Sequence, residues 1–164
     1  MPTAQFSEGL VRLLPQMRRF ARGLTRDATD GDDLCQMTIE RALKSSHLWA
    51  EGTRLDSWVY RIMRNIWIDE ARARNRRSQT FAPEEEGEDV GMAGDAGIEA
   101  HVELGNVERA MAGLPDDQRE AVMLVLVEGF AYKEAAEIIG CPMGTLTSRL
   151  ARGREALMRA LGEV

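Results

Sequence analysis

At 164 residues, with 29% charged and 44% hydrophobic content, the chain has the composition of a globular protein built as one domain or two small ones. It contains no run of ~18 apolar residues and no charged leader ahead of an apolar core, so a cytoplasmic protein without signal peptide or membrane insertion is expected. The net charge of −6 argues at first against a nucleic-acid partner, but the charge is unevenly spread.

Phe6, Leu10, Leu13, Leu14, Met17, Phe20, Ala21 and Leu24 recur at three- and four-residue spacings and predict a first helix, which Pro15 either kinks or starts. Asp30 is placed to cap a second helix, with Asp33 in its first turn and Leu34, Met37, Thr38, Ala42 and Leu43 as its buried stripe. The polar, glycine-containing stretch 45–54 reads as a connection, and Asp56 as the cap of a third helix from about Ser57 to Arg76. Val59, Ile62, Met63 and Ile66, with Trp58 and Trp67 at the margins, form its apolar side. Arg61, Arg64, Arg72 and Arg76 gather within an arc of ~120° on the other side, a stripe suited to a phosphate backbone or to plain solvation.

Residues 78–108 hold nine acids and no Lys or Arg. Residues 1–77 hold 14 Lys and Arg against 10 acids, and residues 109–164 hold seven against eight. The acidity is therefore concentrated in the middle, where the acid run 84–89 is followed by Gly91, Gly94 and Gly97 with little to bury. Residues 78–104 read as a flexible acidic linker between a helical unit 1–77 and a second unit 105–164. The alternative is an acidic segment that covers a basic DNA-binding face until a partner displaces it.

In the second unit, Pro115 with Asp116 and Asp117 makes a strong helix start, and the helix is expected to continue through Ala121–Val127 and stop at Gly129. A further helix over Ala131–Ile139 ends at Gly140, and Pro142 prevents its continuation, so the last helix must begin near Met143 or Gly144. There Leu146, Leu150, Gly153, Leu157 and Leu161 share one stripe, with Ser148, Ala151, Arg152, Glu155 and Arg159 opposite. Two helices joined by a tight turn, the second opening with small and hydroxyl residues and carrying arginines, look like a DNA-reading helix-turn-helix. An ordinary amphipathic helix with a solvated basic face is the alternative for this segment alone.

Cys35 and Cys141 are far apart, and neither lies near His47 or His101 at a metal-ligand spacing, so neither disulfide, metal nor cofactor is expected. No H-E-x-x-H, phosphate-binding glycine loop or nucleophile motif is present, and no covalent chemistry is expected.

The stretch Ala28-Thr-Asp-Gly-Asp-Asp-Leu-Cys-Gln-Met-Thr-Ile-Glu-Arg-Ala-Leu43 resembles the second conserved region of bacterial sigma factors, and Ser57-Trp-Val-Tyr-Arg-Ile-Met-Arg-Asn-Ile-Trp-Ile-Asp-Glu-Ala-Arg72 resembles the segment that follows it. Leu114-Pro-Asp-Asp-Gln-Arg-Glu120 through Gly144-Thr-Leu-Thr-Ser-Arg-Leu-Ala-Arg152 is similar to their fourth region. The order of the three motifs, without a third region, is that of the extracytoplasmic-function group. Two phrases, at Leu48 to Thr53 and Gly129 to Ile138, look similar to its general-stress branch.

The resemblance implies an all-α protein of two small helical domains that binds core RNA polymerase and directs it to promoter DNA. On this chain it places polymerase docking on Asp32, Asp33, Gln36 and Glu40. The melted minus-ten element falls to Trp49, Glu51, Gly52, Thr53 and Arg54 of the loop and to Arg61, Arg64, Asn65, Arg72 and Arg76 of the helix after it. The minus-thirty-five element falls to Thr145, Thr147, Ser148, Arg149, Ala151 and Arg152. Many relatives carry a basic residue where this chain has Thr147 and a bulkier one where it has Ala151, which leaves open the bases that are read. The resemblance also implies an anti-sigma protein as a partner. Two other readings are a sigma-like adaptor that sequesters an anti-sigma protein and a repressor that binds DNA without polymerase.

Overall fold

A computed structural model describes the backbone of residues 2–80 and 99–162 and the side chains of 2–77 and 105–162. The described residues contain helices and turns and no strand. Three long helices form the N-terminal unit: α1 (Ala4–Thr25), α2 (Ala28–Lys44) and α3 (Leu55–Thr80), with a single 3-10 turn at Ser46–Leu48. The C-terminal unit has α4 (Glu99–Ala112), α5 (Asp116–Val122), α6 (Tyr132–Ile139) and α7 (Met143–Gly162). Most of the predicted linker, 81–98, lies outside the described residues; α3 runs to Thr80 and α4 begins at Glu99.

α1 starts earlier than a Pro15 start would allow. Thr3 caps it, its hydroxyl accepting from the Phe6 N–H at 3.1 Å, and the helix continues through Pro15. Phe6, Leu10, Met17, Phe20, Ala21 and Leu24 are all buried, and that continuous stripe outweighs the one backbone bond a proline forgoes. α2 is capped by Asp27, not Asp30: the Asp27 carboxylate accepts from the Asp30 N–H at 2.8 Å, leaving Asp30 in the first turn. Of its predicted stripe, Leu34, Thr38 and Ala42 are buried with Cys35, while Met37 and Leu43 stay 37% and 39% exposed beside the polar outer face. Burial pushes the Cys35 thiol pKa up. Asp56 likewise sits inside the first turn of α3, accepting from the Ser57 N–H at 2.8 Å and pairing with Arg54.

The α1–α2 crossing leaves no room for a side chain at Gly31. A Cβ there would lie 2.7 Å from Arg22 Cα and 2.9 Å from Arg22 N, both backbone atoms. Gly-to-Ala inside a helix ordinarily gains about 0.5–1 kcal/mol. Here the sign reverses: Gly31→Ala is expected to destabilise by about 1–3 kcal/mol through overpacking, read as a lower urea midpoint at unchanged m-value.

The predicted continuous helix over 116–127 changes character partway. α5 is α-helical to Val122, then Met123–Val127 widen into a π turn in which the Glu128 N–H donates to the Met123 carbonyl at 2.8 Å. A second wide bond, Phe130 N–H to the Leu124 carbonyl at 3.0 Å, carries the chain back toward the core. This turn buries Met123, Leu124 and Phe130 and brings the Glu128 carboxylate against the N-terminal unit.

The two units pack on each other, α1 against α5 and α3 against α6. An aromatic seam crosses the contact, with Phe20 stacked on Tyr60 at 4.6 Å between centroids and Tyr60 edge-on to Phe130 at 5.4 Å. Arg119 of α5 is 1% exposed and reaches into the end of α1.

Candidate nucleic-acid interface

The turn between α6 and α7 is built as its sequence predicts. Gly140 adopts the left-handed conformation at φ 79°, and the N–H groups of Gly140 and Cys141 both donate to the Ala136 carbonyl. The Pro142 carbonyl then accepts from Thr145 and Leu146 at 3.1 Å each and starts α7. Leu146, Leu150 and Gly153 are buried against the unit, Leu157 is half-buried and Leu161 is 37% exposed. Gly153 marks the closest approach of α7 to α5, where a Cβ would lie 2.7 Å from Val122 Cγ2 and 3.2 Å from the Gln118 carbonyl. That contact fixes which face of α7 turns outward.

Thr147, Ser148, Ala151 and Arg152 are exposed on that outward face. Thr147 donates its hydroxyl to the Met143 carbonyl at 2.8 Å. Thr145 is half-buried. Arg149 is turned back toward α5, its Nε 3.6 Å from Asp117 Oδ2.

In the N-terminal unit the predicted loop is a tight turn. Thr53 closes it, its N–H and its hydroxyl both donating to the Ala50 carbonyl, and Gly52 takes φ 85° at its tip. Trp49 is half-buried against Phe6, with ring centroids 5.8 Å apart, and its indole Nε1 is buried without a hydrogen-bond partner in the fold. Glu51, Gly52, Thr53 and Arg54 are exposed. Arg61, Asn65, Arg72 and Arg76 are exposed along α3, whereas Arg64 is half-buried. On α2, Asp32, Asp33, Gln36 and Glu40 are all exposed, and Asp32 pairs with Arg22 at 3.0 Å.

Arg64 and Arg54, both predicted to hold the minus-ten strand, are engaged by the C-terminal unit. Arg64 Nε donates to Glu120 Oε2 at 2.5 Å, with 17% of one side chain and 2% of the other exposed. Arg54 pairs with Asp56 at 2.8 Å and with Glu134, and its guanidinium lies 5.0 Å over the Phe130 ring. Its pKa is raised, first by the hydrogen bond to Asp56. Burial pushes the Glu120 carboxyl up, and Arg64 only partly offsets that. Glu128 accepts from both Arg19 and the Tyr60 hydroxyl at 2.8 Å. Burial, reinforced by the negative charge on Glu128, drives the Tyr60 phenol well above its usual range, so it remains a donor. Glu120, Glu128, Glu134 and Arg119 carry this contact, and none stands out in the sequence as a site residue.

No described helix is long and apolar enough to cross a membrane. The family model "Sigma-70, region 4" matches residues 104–157, and the model "Sigma2 domain of PhyR" matches residues 10–64. The ECF RNA polymerase sigma factor EcfG of Rhodopseudomonas palustris (strain TIE-1) is 36% identical over 163 residues, covering 97% of this chain and 86% of the relative. The ECF sigma factor SigM of Mycobacterium tuberculosis is 34% identical over 151 residues, covering 90% and 72%. The solved sigma factor RpoE from Bartonella quintana, in complex with the anti-sigma factor NepR, superposes with a TM-score of 0.84 at 31% identity over 98% of both chains. With a helix-turn-helix at one end, an arginine-faced helical unit at the other and this likeness along nearly the whole length, the chain belongs to the extracytoplasmic-function family of RNA polymerase sigma factors.

Proposed function

We propose that this sigma factor carries core RNA polymerase to promoters through two separate readings, one by each helical unit. The outward face of α7, with Thr147, Ser148, Ala151 and Arg152, takes the minus-thirty-five duplex, joined by Thr145 and Arg149 at its edge. The 49–54 turn and the Arg61, Arg64, Asn65, Arg72 and Arg76 face of α3 hold the melted minus-ten strand. Asp32, Asp33, Gln36 and Glu40 dock on the polymerase. The observation that carries this reading is the exposed α7 face, presented on a helix whose opposite side is packed so closely that only glycine fits at position 153.

Each base-specific contact contributes about 1–3 kcal/mol, so neither unit selects a promoter alone and the polymerase must hold both at once. The factor then works in the cytoplasm with the polymerase and performs no covalent chemistry. Its likeness to a sigma factor solved with an anti-sigma protein supports the same class of partner here. The full-length likeness to EcfG also supports the general-stress branch.

The test is transcription with purified core polymerase on a promoter that this factor uses. Arg152→Ala is expected to reduce initiation roughly tenfold by weakening the upstream contact. Substitutions at Glu51 to Thr53 are expected to change which downstream sequences are used. An unchanged promoter profile after both sets of changes would defeat the assignment.

A further inference from the structure

The two DNA-facing surfaces of the folded chain are in different states. On α7, Thr147, Ser148, Ala151 and Arg152 are exposed. On the other surface, Arg64 and Arg54 each meet a carboxylate of the C-terminal unit, Glu120 on α5 and Glu134 on α6, and Arg54 also pairs with Asp56 of its own unit at 2.8 Å. A carboxylate accepting from a guanidinium offers the same chemistry as a backbone phosphate: paired anionic oxygens and a charge-assisted hydrogen bond. Glu128 holds the same face of α5 and its turn in place, taking Arg19 and the Tyr60 hydroxyl at 2.8 Å.

We propose that Glu120 and Glu134 are internal phosphate surrogates, which occupy Arg64 and Arg54 so that the closed chain presents its duplex-reading helix while withholding two arginines from single-stranded DNA. The lock is one-sided. Competition from a phosphate strand, or separation of the units on the polymerase, removes Glu120 and Glu134 together because both sit on one unit; Arg64 is then freed and Arg54 keeps only its neighbour Asp56. This rests on the assignment of Arg54 and Arg64 to the melted strand.

The test compares the full chain with Glu120→Gln/Glu134→Gln by fluorescence anisotropy on a labelled oligothymidylate and on a duplex of equal length. Glutamine preserves volume and, at position 134, an acceptor for the Ala131 N–H that Glu134 takes at 3.1 Å. The double variant is expected to bind the single strand about tenfold tighter or more at low salt, with duplex binding changed less than about twofold. A control, Glu8→Gln/Glu137→Gln, removes the same charge from two exposed positions and is expected to change neither. Unchanged single-strand affinity would overturn the lock, as would an equal gain on both probes or in the control. If circular dichroism shows the double variant unfolded, Glu134→Gln alone, at a side chain 28% exposed, against Glu137→Gln alone, makes the comparison for the Arg54 half of the lock, with a smaller gain expected on the single strand only.

Adding Arg54→Ala/Arg64→Ala to the lock-removed chain separates the two failures. Loss of the gain supports the lock, whereas a gain that survives would show that these arginines do not hold the strand. If no gain appears while Arg54→Ala/Arg64→Ala still impairs promoter opening by the holoenzyme, the lock fails and the site assignment stands.

Discussion

Replacing Arg119 with alanine is expected to part the two helical units at a cost of about 3–5 kcal/mol, because three carbonyls lose their donor at about 1–3 kcal/mol each, partly relieved by relaxation. The guanidinium is 1% exposed and spends all its reach on fixed acceptors. Its Nε donates to the Gly23 carbonyl at 2.7 Å, one Nη to Leu24 at 2.8 Å and the other to Leu114 at 2.9 Å. Gly23 and Leu24 end α1, where carbonyls lack intrahelical partners, so a residue of the C-terminal unit caps a helix of the N-terminal one. Asp116 completes the group, accepting from Arg119 and from Arg26 at 2.8 Å each. Burial lowers the Arg119 pKa, opposed first by the hydrogen bond to Asp116. Lysine is not expected to rescue, because an ammonium on a single stem does not reproduce the planar fork that reaches three carbonyls at once. Small-angle scattering should report a larger radius of gyration for Arg119→Ala, and its thermal unfolding should split into two transitions. Wild-type compactness and a single unshifted transition would contradict this.

Arg64→Ala is expected to destabilise the closed chain by about 3–5 kcal/mol near neutral pH, because it leaves the Glu120 carboxylate buried and unpaired. The effect should depend on pH in a definite sense. Glu120 already has a raised pKa through burial, and losing Arg64 raises it further. A folded-state pKa above the unfolded value means that the folded chain binds the extra proton between the two values, so stability rises as pH falls through that window. The Arg64→Ala deficit should therefore shrink on acidification toward the ordinary carboxyl pKa. Glu120→Leu in the same background should recover much of the loss at neutral pH, since an apolar side chain of similar volume carries no desolvation cost. Urea unfolding of wild type, Arg64→Ala, Glu120→Leu and the double variant across pH gives the cycle directly, and a deficit that does not change with pH would contradict it.

These two residues mark where reading the sequence succeeds and where it stops. The turn between α6 and α7 was legible because Gly140 and Pro142 act locally, one by its backbone conformation and one by its missing donor. The arginine face of α3 followed from helical periodicity, which fixes direction from spacing alone, except that Arg64 is half-buried. The outward acids of α2 followed from the resemblance. The cap of α2 was misplaced by three residues because Asp27 and Asp30 are both competent caps, and only the structure shows which backbone is extended. The π turn at Met123–Val127 has no local signature, since the run of apolar residues suits an α-helix equally well. The contact between units was hidden for a different reason. Arg119 and Glu120 follow a helix start, where charges are expected at the surface, yet both are buried by partners 95 and 56 residues away. Sequence spacing says nothing about such pairings.

Two-part promoter reading is tested most directly by genome-wide mapping of transcription starts produced by purified core polymerase on native DNA, with and without this chain. Discrete new starts are expected, each preceded by a shared upstream element and a shared minus-ten element at nearly constant spacing, and dependent on the exposed face of α7. Absence of any new start, from a chain that nonetheless shifts DNA by itself at physiological salt, would contradict it.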